Sequence, residues 1–119
     1  MVLIKVDPSS DQPLFAQLAG SIRADAAAGA LKPGERLPAA RDLAESLGIN
    51  VHTVLRAYQE LRTEGLIELR RGRGAVLTEA ATPLAALHPD VLALVSKARR
   101  LGLTPETLSA YVKEIAHKG

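Results

Sequence analysis

Between Ala40 and Leu61 the chain carries two apolar stripes at helical spacing, Ala40, Leu43, Ala44 and Leu47, then Val51, Val54, Tyr58 and Leu61, parted only by Gly48-Ile49-Asn50. Each stripe falls on one side of a helix of about 3.6 residues per turn. Gly48 suits a helix stop, because it takes positive φ without a side-chain clash, and Asn50 suits an N-cap, because its amide oxygen can accept a free backbone N–H. A connection this short leaves no independent loop, so the two helices must pack on each other as a tight pair.

The flanking segments extend this pair. Phe15, Leu18, Ile22 and Ala26 predict a first helix over about Pro13 to Ala28, stopped by Gly29, after a Pro- and Asp-rich lead-in from Asp7 to Pro13. Leu31 to Gly34 reads as a turn, and Glu35 to Leu37 can supply one short extended piece before Pro38. Gly65 ends the third helix. Leu66 to Arg70 and Ala75 to Thr78 then read as two strands joined by Arg71-Gly72-Arg73-Gly74, a hairpin with a basic tip. Three helices followed by such a hairpin predict a winged helix-turn-helix.

Glu79 to Pro83 is expected to be a linker, since Thr82-Pro83 interrupts the pattern. Two more helices follow, one over about Pro89 to Leu101 and one opening at Thr104-Pro105-Glu106, where Thr caps and Pro takes the first helical position. The expected fold is therefore mainly α, with a winged helix-turn-helix domain over residues 1–79 and a two-helix C-terminal hairpin over residues 80–119. The first C-terminal helix presents Val91, Leu94, Val95 and Ala98, the second Leu108, Tyr111, Val112 and Ile115. A lone helical hairpin cannot bury both stripes. Docking onto the winged domain would cover them, as would a second copy of the hairpin; a two-fold homodimer is the commonest symmetric arrangement and is the expectation here.

Composition narrows the function. At 119 residues a second large folded domain is excluded, and three aromatic residues, Phe15, Tyr58 and Tyr111, are too few for a platform that stacks single-stranded bases. Without cysteine there are no disulfides, thiolate metal sites or thiol nucleophiles. Met1 to Val6 is too short for a signal sequence, and no apolar run approaches the ~20 residues that a bilayer requires, so a soluble cytoplasmic, nucleoid-associated protein with no membrane partner is expected. An enzyme would need convergent polar groups. The chain has no phosphate-binding glycine loop and no paired-carboxylate motif, and His52, His88 and His117 stand far apart; no catalytic residue, metal or cofactor is expected.

A net charge of +2 does not by itself indicate nucleic acid, but its placement does. Ten of the fifteen basic residues are Arg, the side chain suited to bidentate contact with phosphate or guanine, and Arg70, Arg71 and Arg73 fall within four positions. On the third helix, His52, Arg56, Gln59 and Thr63 lie opposite the apolar stripe, with Asn50 and Thr53 at its start. A solvated polar face would look similar for any one of these residues. The basic hairpin tip beside them favours double-stranded DNA, with Gln59 and Thr63 left to solvent. Arg71 and Arg73 suit phosphate or minor-groove contact, with Gly72 and Gly74 permitting close approach; Arg41 is a phosphate candidate that could equally pair with Glu45. A winged helix used for protein contact, or one that binds RNA, is the alternative; exposed apolar anchors on the third helix would mark the former.

Leu31-Lys32-Pro33-Gly34-Glu35-Arg36-Leu37-Pro38, Arg41-Asp42-Leu43-Ala44, Leu47-Gly48-Ile49-Asn50, Thr53-Val54, Arg56-Ala57-Tyr58-Gln59-Glu60-Leu61 and Glu64-Gly65-Leu66-Ile67 together resemble the GntR family of bacterial transcription regulators, most closely its short YtrA-like branch. The resemblance spans roughly Pro13 to Thr78. It implies a winged-helix repressor that reads a (pseudo)palindromic operator as a homodimer, with contacts carried onto Arg41, Asn50, His52, Thr53, Arg56, Arg71, Gly72 and Arg73. Only about forty residues follow the hairpin, similar to the branch whose two terminal helices dimerise, so no capacious effector pocket is implied and any small-molecule effector is unknown. Ala39 stands where the family commonly has Ser, which removes a capping hydroxyl from the second helix.

Overall fold

The computed structural model describes residues 6–119; of the N-terminal stretch considered as a signal, all but Val6 lies outside them. Its elements run α1 Leu14–Ala28, α2 Ala40–Leu47, α3 Val51–Thr63, β1 Ile67–Arg70, β2 Gly74–Leu77, α4 Ala81–Arg100 and α5 Pro105–Lys118. The first three helices and the hairpin match the expected order to within a residue or so at each end. Among the described residues, no helix is long and apolar enough to cross a membrane.

Helix α1 buries Leu18, Ile22 and Ala26 of the predicted row, with Ala19 beside them and Phe15 half-buried, and packs on α3. Its lead-in is held by Gln17, whose side chain accepts from the Asp7 N–H and donates to the carbonyls of Asp7 and Gln12. Helix α2 ends at Gly48, which adopts the left-handed conformation at φ 68°, and Asn50 caps α3 by accepting the N–H of His52 at 2.8 Å. Ala39 makes no side-chain cap to α2, as its lost hydroxyl implies, and Asp42 is the acidic residue of that first turn. Helix α3 buries Val54, Ala57, Tyr58 and Leu61; Val51 is half-buried.

Strands β1 and β2 pair antiparallel, Ile67 opposite Leu77 and Arg70 opposite Gly74. The extended piece predicted before Pro38 lies along the free edge of β2. Leu77 donates to the Glu35 carbonyl at 2.9 Å, while Gly34 and Leu37 donate to the carbonyls of Leu77 and Ala75 at 2.8 Å each. The hairpin is thereby tied to the segment entering α2, and Leu31, Leu37, Ile67 and Leu77 join Leu18, Ile22, Val54 and Leu61 in one aliphatic core.

The expected linker at Glu79 to Pro83 is corrected. Helix α4 begins inside it, at Ala81, and continues through Pro89 instead of starting there. Pro83 falls in the first turn, where a backbone N–H has no intrahelical acceptor, so its missing donor costs nothing. The Thr78 hydroxyl also secures this start, accepting the Ala80 N–H and donating to the Gly65 carbonyl at 2.6 Å. Burial of Ala81 and packing of Leu84 on the core hold the turn down. Pro89 is a true interior proline and leaves the Ala85 carbonyl without its usual donor.

The chain forms two compact units, one ending at Ala86 and the other comprising Leu87–Gly119. In the second, Gly102 turns the chain at φ 78°, and Thr104 caps α5 by accepting the Thr107 N–H at 3.2 Å. The cap and the proline at the start of α5 were both legible in Thr104-Pro105.

Candidate nucleic-acid interface

The candidate surface begins with the N-terminal turns of α3. Val54, Ala57, Tyr58 and Leu61 pin one side of this helix to the core, which turns His52, Arg56 and Gln59 outward; all three are exposed, and Thr53 is half-buried. Asn50, His52, Thr53 and Arg56 share a shallow groove of about 430 Å³ with Leu14 and Phe15 from the start of α1. The structure thus brings four predicted site residues together and adds Leu14 and Phe15, the latter read from the sequence only as part of the apolar row of α1.

Within this group the donors are differently committed. The amide oxygen of Asn50 is taken by the helix cap, so its NH2 remains for an outside acceptor. The guanidinium of Arg56 lies over the Phe15 ring, 3.8 Å from its centroid, a cation–π contact between α3 and α1. Gln59 and Thr63 engage each other, with the Thr63 hydroxyl donating to the Gln59 carbonyl at 3.0 Å; this suits the assignment of both to the solvated side. Leu55, 47 % exposed, is the large apolar residue that α3 shows to solvent.

At the hairpin tip, Arg70 to Arg73 form a four-residue turn closed by the Arg73 N–H on the Arg70 carbonyl at 3.0 Å. Gly72 has φ 79° with open space where a side chain would begin, so the glycine answers a positive φ and no close approach by the described residues. The three arginines are not equivalent. Arg70 pairs with Glu68, Arg73 donates to the Gly34 carbonyl at 3.1 Å, and Arg71 is exposed with no hydrogen bond or ion pair among the described residues. Arg41, exposed on the first turn of α2, likewise makes no ion pair with Glu45.

Sequence spacing missed two tertiary ties. Arg23 of α1 makes two parallel hydrogen bonds to the Glu64 carboxylate at the end of α3, and Tyr58 donates to the Pro38 carbonyl at 2.7 Å. Glu64 holds the Arg23 guanidinium protonated by hydrogen bonding, and burial raises the Tyr58 phenol above its ordinary pKa. Together they tie the middle and the C-terminal end of α3 to neighbouring segments. No local pattern could have paired residues 41 and 20 positions apart.

In the C-terminal unit, Val91, Leu94, Tyr111, Val112 and Ile115 are exposed, while Val95 and Leu108 are half-buried. An apolar groove of about 380 Å³ runs between the second half of α4 and α5, lined in part by Val91, Leu94, Val95, Leu108 and Val112.

Three helices closed by an arginine-tipped hairpin, with the third helix turning a polar side outward, define a winged helix-turn-helix regulator that binds DNA. Residues 14–77 match the bacterial regulatory proteins of the gntR family, and the chain belongs to that family. It is similar to the HTH-type transcriptional repressor YtrA of Bacillus subtilis (strain 168), with 33% identity over 120 residues that cover 96% of this chain and 92% of that protein. Among solved structures it is similar to YtrA from Sulfolobus acidocaldarius, a GntR-family transcription factor, at TM-score 0.62 and 33% identity, covering 83% of this chain and 99% of that one. The DNA-binding domain of AraR in complex with operator ORX1 aligns at TM-score 0.55 and 25% identity, over 62% of this chain and 92% of that one.

Proposed function

We propose that the chain is a repressor that binds a (pseudo)palindromic operator as a homodimer, residues 1–79 reading the DNA and residues 80–119 dimerising, with no catalytic activity. In this reading His52, Thr53, Arg56 and the free NH2 of Asn50 face base edges and flanking phosphates in the major groove. Arg41, Arg71 and Arg73 contact phosphate, and Gly72 shapes the tip. The observation that carries the reading is the outward, carboxylate-free face from Asn50 to Arg56, held by a core on the opposite side of the same helix. The relatives support it, being named as transcriptional regulators and, for one, as a repressor.

Dimerisation is inferred from the exposed apolar set Val91, Leu94, Tyr111, Val112 and Ile115 with the half-buried Val95 and Leu108. So large an apolar surface on so small a unit calls for a partner, and a second copy of the same face is the self-complementary one, as a two-fold dimer reading two half-sites requires.

The direct test is a gel-shift titration of the full chain against duplex DNA enriched from a randomised library. Wild type is expected to retain that duplex over RNA competitor, and Arg56→Ala to lose about 1–3 kcal/mol of discrimination against scrambled sequence with its fold intact. Unchanged discrimination removes Arg56 from the interface; loss of the duplex to RNA competitor refutes the DNA reading.

A further inference from the structure

The geometry points to Phe15 as a positioning residue for sequence selectivity, a ring that holds the Arg56 guanidinium ready without itself reading DNA. This rests on Arg56 being a DNA contact, as proposed above. Arg56 is exposed and makes no hydrogen bond or ion pair among the described residues; its engagement is with the face of Phe15, 3.8 Å away. The two residues come from different helices and meet at the groove that also holds Asn50, His52 and Thr53.

The kind of contact matters. A carboxylate partner would occupy the guanidinium's N–H donors and neutralise its charge, whereas a ring beneath the planar group engages its face and leaves the edge donors free. Those donors are the ones that form the bidentate bond to guanine or to a phosphate. The ring is also a fixed platform. Phe15 is half-buried and packed against the core, one turn before the fully buried Leu18 in the row that continues to Ile22. A long, rotatable side chain is thereby restricted before DNA arrives, so less ordering remains for the bound state. Phe15 should therefore act on discrimination, through Arg56, more than on non-specific binding, which the phosphate-directed arginines supply.

The test measures affinity of the full chain for the duplex that wild type enriches from a randomised library and for a scrambled duplex of the same length. The ratio of the two affinities is read for Phe15→Leu, Phe15→Tyr, Arg56→Ala and the Phe15→Leu, Arg56→Ala double variant, beside a thermal melt. Phe15→Leu is expected to lower the ratio roughly two- to fivefold, Phe15→Tyr to preserve it, and Phe15→Leu to add nothing once Arg56 is gone. An equal loss with and without Arg56, or no loss at all, overturns the role of Phe15 while leaving the interface reading intact. If Arg56→Ala leaves the ratio unchanged, Arg56 drops out of the interface and the role of Phe15 falls with it; if wild type enriches no duplex, the DNA reading itself fails. Should Phe15→Leu fail to fold, nuclear magnetic resonance of the wild-type chain decides: the Arg56 Cδ protons are expected upfield under the ring, and their appearance at ordinary shifts overturns the proposal.

Discussion

The hydroxyl of Tyr58 donates to the carbonyl oxygen of Pro38 at 2.7 Å, joining the middle of the third helix to the residues that lead into the second. The second and third helices are thus tied across their connection by a part-buried polar bond, and not by the three-residue turn alone. Loss of this bond in Tyr58→Phe is expected to destabilise the fold by about 1 kcal/mol near neutral pH. Burial keeps the phenol pKa above 10.0, so as pH rises the unfolded chain releases its proton first. The stabilisation is complete below the unfolded pKa of about 10 and declines as pH climbs toward the folded value. Urea denaturation of both proteins should therefore show a wild-type advantage at neutral pH that shrinks above pH ~10; an advantage independent of alkali would contradict the buried bond.

Ala39 occupies the N-cap of α2 with φ −59° and ψ 141°, and its methyl side chain makes no capping hydrogen bond. Ala39→Ser supplies a hydroxyl at that position and is expected to stabilise the domain by about 0.5–1 kcal/mol. For a unit of this size the melting temperature should rise by roughly 2–6 °C. A calorimetric melt checks it, and no rise would mean that the backbone donors of this turn are already satisfied.

The hairpin arginines should separate in their salt dependence. Arg71 has no partner among the described residues, whereas Arg73 is tethered to the Gly34 carbonyl and helps brace the tip. Arg71→Ala is expected to weaken binding to every duplex and to lower the slope of log affinity against log salt by about 1. Arg73→Ala should add a small loss of stability through the broken tether. Identical slopes for wild type and Arg71→Ala would take the tip off the phosphate backbone.

Oligomeric state is best tested inside the C-terminal unit, because the start of α4 packs into the winged core and truncation near Pro83 would damage both. Leu94, 45 % exposed, and Val112, 47 % exposed, line the apolar groove and can carry charge without disturbing a buried core. Leu94→Asp with Val112→Asp is expected to convert a sedimenting dimer to monomer and to lower operator affinity by roughly 10²-fold or more through lost bivalency. A variant that sediments like wild type would reject this face as the dimer contact.

Much of the molecule was legible because its signals are local. Gly48 and Asn50 mark the turn, Thr104-Pro105 opens the last helix, and the rows through Leu18, Ile22, Val54 and Leu61 repeat at helical spacing, so the order of elements and the polar face of α3 follow from chemistry within a few residues of each position. The misread segment, Glu79 to Pro83, failed for a physical reason. Proline is a helix breaker only after the first turn, and whether a turn starts before it depends on Ala81, Leu84 and the Thr78 hydroxyl finding partners far away in the chain.

Sequence by itself determined the winged helix-turn-helix, the basic tip and which side of the third helix would be polar, since periodicity and turn chemistry act between near neighbours. Only tertiary structure decided how each charge is used: Arg56 on the face of Phe15, Arg23 on Glu64, Arg73 on the Gly34 carbonyl, and Arg71 on nothing among the described residues. Those pairings depend on distances between helices and strands remote in sequence, which exist only once the aliphatic core has brought the elements together.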